Sequence, residues 1–161
     1  MTLQSPSPGQ GTAPPSVPDT ALLTCSFDAT SVTSLRRAVE RCARAAGLDD
    51  LAVFVFCLAV HEAVINAVCH GGGRGKVHLW QHADRLSCQI SDQGPGIATN
   101  LRHPPCPEPD SSNGRGLWLI RRVCHDVTIT CDSAGTRILL HFPLHPPSQP
   151  GANTPVTPSA A

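Results

Sequence analysis

Glu62 and Asn66 lie four residues apart in the segment HEAVINAVCHG, which is otherwise almost entirely apolar. Residues at positions i and i+4 share one face of a helix, so this carboxylate and this amide would project to the same side. An unpaired charge on a buried helix costs on the order of several kcal/mol, so Glu62 needs a partner. We interpret that partner as a ligand.

A second carboxylate, Asp92, ends the segment RLSCQISD and precedes the glycine-containing turn QGPG. Leu86, Cys88 and Ile90 alternate with polar residues, which is typical of a half-buried strand, and Asp92 continues their apolar phase. An inward-facing carboxylate followed by flexible glycine backbone would look into a cavity. Asp92 is therefore expected to accept a hydrogen bond there.

Two glycines, Gly114 and Gly116, open the segment GRGLWLI, whose apolar spacing predicts a short helix. The first turn of a helix has backbone N–H groups without helical partners, and the helix dipole is positive at that end. Glycines allow an anion to approach these donors closely, and Arg115 adds a cation at the same place. The segment is therefore a candidate phosphate site.

The segments HEAVINAVCHG, DQGPGI, GRGLWLI and GTRILLHF follow one another in this order. Together they resemble the N, G1, G2 and final boxes of the ATP-binding fold of gyrase, Hsp90, histidine kinases and MutL, the GHKL superfamily. A lone D-x-G-x-G or G-x-G is a weak signal, so the order and spacing carry the resemblance. It covers about residues 20–142 and implies an α+β fold, a two-layer α/β sandwich of the histidine-kinase-like ATPase (Bergerat) type.

The resemblance also implies roles for individual residues in binding ATP and Mg²⁺. Glu62 would be the general base that takes the proton from a seryl or threonyl hydroxyl. Asn66 would ligate Mg²⁺ with phosphate oxygens, and Asp92, supported by Thr136, would accept a hydrogen bond from the adenine amino group. The expected nucleotide contacts are Asn66, His70, Asp92, Gly94, Gly96, Gly114, Arg115, Gly116, Leu117 and Thr136. For His70, a cap at the helix C-terminus is the alternative.

Within the superfamily, the chain most resembles the short bacterial anti-sigma factors with serine kinase activity. The function implied is to bind a sigma factor and to phosphorylate a serine or threonine of a STAS-type anti-anti-sigma partner. The alternative is a catalytically silent adaptor that uses ATP or ADP as a conformational ligand. Relatives of this kind also suggest a homodimer with a contact at the first strand.

Composition favours one domain and argues against some other classes. A chain of 161 residues with 40% hydrophobic content can bury one core, but it has little room for two. A formal net charge of zero and few aromatic residues argue against direct nucleic-acid binding. The apolar run of residues 51–60 is shorter than the roughly 20 residues a membrane span needs. No signal-peptide pattern opens the chain, so we expect a cytoplasmic protein without membrane contact.

Eight cysteines raise a third interpretation, a zinc or redox sensor. None of them shows C-x-x-C spacing, although Cys57 and His61 stand at i and i+4, and Cys69–His70 and Cys124–His125 are adjacent pairs. Most of these cysteines fall on apolar phases, as small core residues do. We interpret His61 as a structural histidine, because relatives do not require a histidine before the glutamate.

The elements that must hold these residues can be predicted from periodicity, caps and glycines. We expect a helix over 31–46 ended by Gly47, a second helix capped by Asp49 or Asp50 and ended near Gly71, and a hairpin that turns at Ala83–Asp84. The complete set is a strand over 21–27, the two helices, strands over 75–82 and 85–92, a helix over 114–124, and strands over 126–131 and 136–142.

The remaining segments divide the chain into a domain and its flanks. Residues 1–20 and 143–161 are rich in Pro, Ser and other small residues, so we expect disordered tails on either side of a kinase domain over 21–142. Residues 97–113 have no periodicity, and unstructured loops of that length inside a domain are often functional. We expect this segment to be an ATP lid.

Overall fold

The computed structural model describes residues 19–97, 115–124 and 126–144. In chain order these form β1 (Thr20–Asp28), α1 (Val32–Ala45), α2 (Asp50–His70), β2 (Arg74–His82), β3 (Arg85–Asp92), α3 (Arg115–Val123), β4 (Asp126–Asp132) and β5 (Gly135–Pro143). Each bound lies close to the one expected from the sequence. The expected lid beyond Ile97, Gly114 and most of both expected tails lie outside the described residues.

The local signals act as expected at the element boundaries. Gly47 follows α1 with φ of +95°, a left-handed backbone that favours glycine. Asp49 caps α2, because its Oδ1 accepts a hydrogen bond from the backbone N–H of Ala52 at 2.8 Å. Ala83 takes φ of +49° in the tight turn between β2 and β3. These caps and turns fix where α2 and β3, the two elements with candidate carboxylates, begin and end.

The five strands form one antiparallel sheet in the order β1-β2-β3-β5-β4. Alternate residues point to opposite faces, so one face carries Val77, Ile90 and Ile138, which are all buried under the helices. The opposite face carries exposed residues such as Lys76 and Arg137. A single helical layer on one face of the sheet is the two-layer α+β sandwich predicted from the sequence.

Helix α2 runs along the middle of the helical layer and contacts the sheet, α1 and α3. Its buried side includes Phe56, whose ring meets that of Phe142 edge-to-face with centroids 5.7 Å apart. By length and hydropathy alone, α2 could also cross a membrane, and 44% of its most apolar 18-residue window is buried in the protein. Packing on several sides accounts for the apolar composition of a central core helix.

Candidate functional site

Asp92 ends β3 on the helix-covered face, where α2 ends and β5 begins. Its Oδ1 accepts hydrogen bonds from the backbone N–H groups of Gly94 at 2.9 Å and Thr136 at 3.3 Å. Among the described residues, none donates to Oδ2. The carboxylate is thus held in place through one oxygen, while the other oxygen can accept from a ligand.

The first residue after α2, Gly71, contacts Asp92 so closely that a side chain would not fit. A Cβ atom at this position would lie 2.4 Å from the Asp92 Cγ atom. Gly94 in turn packs on the backbone of Gly71, because a Cβ there would lie 2.4 Å from the Gly71 Cα atom. The chain after α2 and the chain after β3 therefore meet backbone to backbone beside the carboxylate. The sequence predicted Gly71 only as a helix end. The two further glycines that follow it were an indication that the backbone passes another group closely here.

Thr136 lies beside Asp92 and is buried, with 4% of its surface exposed. The preceding residue, Gly135, has φ of +129°, and a Cβ atom there would lie 1.9 Å from the carbonyl oxygen of Asp92. The β4–β5 turn consequently packs directly on the backbone of Asp92. This contact brings Thr136 beside the Asp92 carboxylate.

Cys131 is a further residue at this end of the site, and the sequence patterns did not predict its role. Its Sγ accepts a hydrogen bond from the backbone N–H of Ile97 at 3.4 Å and lies 3.8 Å from Thr136 Oγ1. Gly96 packs on the same cysteine, because a Cβ there would lie 3.3 Å from the Cys131 Cβ atom. In the sequence, Cys131 falls on the apolar positions of the β4 alternation, and this pattern was the indication that it faces inward. Cys131 thus fixes the start of the segment that follows Gly96.

Glu62 and Asn66 meet Gly116 where α2 and α3 pack together. A Cβ atom at Gly116 would lie 2.8 Å from Glu62 Oε2 and 3.5 Å from Asn66 Nδ2. The Nδ2 atom of Asn66 is buried and has no hydrogen-bond partner among the described residues. A buried polar group without a partner is costly, so this N–H donor is available to an acceptor on a ligand. The structure thus brings together Glu62, Asn66 and the second candidate glycine, Gly116.

Leu117 and Ile120 fix α3 against the rest of the protein, because both are buried, Leu117 at 8% exposure and Ile120 at 0%. Arg115 is exposed at the first residue of α3. Leu117 therefore acts through packing, and its backbone N–H belongs to the first turn of α3. Gly114 lies outside the described residues.

The two histidines of the N-box segment, His61 and His70, differ in exposure and in what their side chains contact. His70 is exposed at the last residue of α2, which agrees with a helix-end position. His61 instead lines a small gap of about 10 Å³ against α1, together with Arg36 and Val39, and its Nδ1 atom is buried without a partner in the described part of the chain. The side chain of His61 therefore faces α1 and not Gly116.

Three of the described cysteines, Cys57, Cys88 and Cys124, are buried core residues, whereas Cys69 is exposed. Burial raises the pKa of the Cys88 thiol, and burial also raises the pKa of Cys124 to about 12. Thiols held neutral in this way are poor metal ligands and poor nucleophiles. No group of three or more His, Cys, Asp or Glu side chains within the described ranges could hold a metal ion.

A cavity of about 810 Å³ adjoins the Asp92 end of the site. It is lined at the strand ends by residues that include Asp92, Gly135 and Thr136, and it continues onto the sheet face that the helices do not cover. Glu62, Asn66 and Gly116 are not part of its lining. Most of this cavity is therefore separate from the carboxylate–amide pair on α2.

Known proteins share the fold of this chain. Residues 25–142 match the family model described as a histidine kinase-like ATPase domain. No curated protein matches the chain. Among solved structures, the RsbU and RsbW domains of a Mycobacterium tuberculosis protein align with a TM-score of 0.56 and 18% identity, over 78% of this chain and 32% of that one.

Two histidine kinase domains are also similar. The catalytic domain of the histidine kinase ThkA, in a nucleotide-free form, aligns with a TM-score of 0.49 and 14% identity, over 75% of this chain and 95% of that one. The kinase domain of the Escherichia coli osmosensor EnvZ aligns with a TM-score of 0.44 and 19% identity, over 84% of this chain and 97% of that one.

The family match spans most of the chain, and its limits enclose both halves of the site, from α2 to β5. The present chain spans about a third of the length of the mycobacterial structure, whose likeness supports the fold. The five-stranded antiparallel sheet under three helices is the fold expected of this family. The chain belongs to the family of histidine kinase-like ATPase domains, within the GHKL superfamily of ATP-binding kinases and ATPases.

Proposed function

We propose that this protein is an ATP-binding anti-sigma factor that transfers the γ-phosphoryl group of ATP to a serine or threonine of a STAS-type partner. The observation that carries this proposal is the meeting of Glu62 and Asn66 with Gly116 at the start of α3. This arrangement brings a carboxylate, an unpartnered amide and a helix N-terminus to one point. The helix N-terminus suits a phosphate group, the amide oxygen of Asn66 suits a cation, and the carboxylate of Glu62 suits the proton of a hydroxyl nucleophile.

Adenine recognition is assigned to Asp92. Its Oδ2 atom would accept from the adenine amino group, because Oδ1 already accepts from Gly94 and Thr136. A guanine ring presents a carbonyl at the equivalent edge, so a carboxylate there selects ATP over GTP. Gly94 and Gly96 would form the wall of the adenine pocket, and Ile97 begins the proposed lid over 97–113.

Phosphate binding is assigned to the start of α3. Gly114, Gly116 and Leu117 would donate backbone N–H groups, and Arg115 would add a positive charge. Family members of this kind bind ATP, typically with Mg²⁺, and Asn66 would provide a ligand oxygen from its amide. Bound Mg²⁺ neutralises negative charge on the phosphates. His70, exposed at the end of α2, is assigned a weaker contact from the same side.

Glu62 is assigned the role of general base. Its Oε2 atom lies near Gly116 and has no ion-pair partner among the described residues, so it can take a proton. As the serine or threonine oxygen bonds to the γ-phosphorus, the bond to the bridging oxygen breaks and ADP leaves with the electron pair. The hydroxyl proton passes to Glu62. The proposed partners are a sigma factor and the phosphorylated STAS protein, and the proposed location is the cytoplasm.

The Glu62→Gln variant tests the kinase assignment, because glutamine keeps the size of glutamate but cannot take the proton. We expect phosphoryl transfer from labelled ATP to purified STAS-domain proteins to fall about 10²- to 10⁴-fold, with ATP affinity nearly unchanged. Glu40→Gln is the matched control, since Glu40 pairs with Arg44 on the surface of α1. Transfer that survives in Glu62→Gln would exclude Glu62 as the base. ATP binding without transfer by the unaltered protein would favour the adaptor function.

A further inference from the structure

The 810 Å³ cavity contains a row of polar side chains that the proposed kinase function does not use. Strand pairing brings one residue from each strand into this row: Ser26 pairs with Lys76, Lys76 with Ser91, Ser91 with Arg137, and Arg137 with Thr130. All five line the cavity. The row therefore crosses the whole sheet with alternating hydroxyl and cationic groups.

This row lies on the sheet face opposite the helices. Val77, Ile90 and Ile138 are the chain neighbours of Lys76, Ser91 and Arg137, and all three are buried in the helix-covered core. Successive strand residues point to opposite faces, so the row must face away from α2 and α3. Any ligand bound over the row is therefore separated by the sheet from Glu62 and Gly116.

Lys76 and Arg137 carry positive charges that no described residue neutralises. Neither side chain takes part in an ion pair or hydrogen bond among the described residues. Neighbouring strands are about 4.8 Å apart, so the backbones of these two residues are separated by about 10 Å, with Ser91 between them. Both side chains are long enough to reach one anion above the Ser91 hydroxyl. Arg74, which also lines the cavity, adds a third cation.

Two carboxylates stand at the ends of the cavity, and each is held by its own turn. Asp28 accepts hydrogen bonds from Thr30 and Ser31, and these bonds lower the pKa of its carboxyl. Asp132 accepts from the backbone N–H of Ala134 at 2.7 Å. Carboxylates disfavour an anion near them and accept hydrogen bonds from hydroxyl or amino groups. The third carboxylate of the lining, Asp92, turns instead toward Gly71 in the helical layer.

We propose that this cavity binds a small phosphate ester, with its phosphate above Ser91 between Lys76 and Arg137. A tetrahedral phosphate offers oxygens in several directions, which suits an ammonium, a guanidinium and a hydroxyl that approach from different sides. The volume lies within the range of small-molecule sites and far exceeds a single phosphate ion. The rest of the ligand would carry hydroxyl groups, as a sugar phosphate does, to meet Asp28 or Asp132, which lie on opposite edge strands of the sheet.

Calorimetric titration with glucose 6-phosphate, inorganic phosphate and glucose tests this site. We expect glucose 6-phosphate to bind, inorganic phosphate to bind more weakly, and glucose not to bind. Lys76→Gln and Arg137→Gln should each weaken binding about tenfold or more, because each removes a charged hydrogen bond to the phosphate. Arg85→Gln is the matched control, since Arg85 is exposed on the same sheet face at the opposite end of β3.

The nucleotide site could also bind a phosphate, so a second comparison separates the two sites. Glucose 6-phosphate should bind equally well to the Asn66→Ala variant, because Asn66 does not line this cavity, and in the presence of saturating ATP and Mg²⁺. Competition by ATP, or binding unchanged in the Lys76→Gln, Arg137→Gln double variant, would overturn the proposal, as would no binding of glucose 6-phosphate in the millimolar range. Failure of ATP to bind would leave this result unaffected and would count against the proposed kinase function alone.

Discussion

At the scale of single residues, the site depends on positions where a backbone must pass another group at close range. Gly71 and Gly94 allow the ends of α2 and β3 to meet beside the Asp92 carboxylate, and Gly116 leaves room for Glu62 and Asn66. Each of these glycines touches a group that is expected to contact the nucleotide. These glycines therefore matter because the missing side chain leaves room for a neighbouring group, and not only because glycine backbone is flexible.

Gly135 gives the sharpest stability prediction at this scale. A Cβ at this position would meet the Asp92 carbonyl oxygen at 1.9 Å, and φ of +129° is unfavourable for any other residue. We expect Gly135→Ala to lower the free energy of unfolding by about 3 kcal/mol or more, since it combines backbone strain with overpacking. Urea denaturation measures this loss.

Gly47→Ala is the matched control for Gly135→Ala. Gly47 also has a positive φ, of +95°, but a Cβ atom at this position would have no neighbouring atom within 4 Å among the described residues. Only the backbone strain applies there, so we expect a loss of about 1–2 kcal/mol. Equal losses in the two variants would show that the Gly135 contact with Asp92 has no energetic consequence.

At the scale of elements, the sequence predicted the helices and strands well because their signals are local. The Asp49 cap, Gly47 and the alternation along β3 each act within a few residues. Contacts between distant segments had no such signal. The packing of Gly71 on Asp92, and of Cys131 on Gly96 and Ile97, depends on how α2, β3 and β4 converge. Periodicity cannot reveal that convergence.

Strand β1 is an edge strand of the sheet, and this position leads to a prediction about assembly. An edge strand can pair with another chain through its backbone groups, so β1 is the element we propose for a homodimer contact. Sedimentation equilibrium at micromolar concentrations should then give twice the monomer mass of 16.9 kDa. Replacing Thr24, an exposed β1 residue, with proline should shift the protein toward monomer. A protein that remains monomeric throughout this range has no such dimer.

At the scale of the whole molecule, the sheet separates two chemically different surfaces. The helix-covered side holds Glu62, Asn66, Asp92 and Gly116, and the order of the sequence motifs predicted that these residues belong to one nucleotide site. The other side holds the row from Ser26 to Thr130, which became visible only from the strand register. No sequence pattern joined Lys76 to Arg137, because they lie 61 positions apart and meet only across β3.

The most direct test of the nucleotide site is calorimetric titration with ATP and Mg²⁺ of the unaltered protein and of Asp92→Asn. Asparagine keeps an oxygen that can accept from Gly94 and Thr136, so the fold should persist. Its amino group would face the adenine amino group, so we expect ATP affinity to fall about 100-fold or more. Affinity that is unchanged in Asp92→Asn, or no binding of ATP by the unaltered protein, would contradict an ATP site at Asp92.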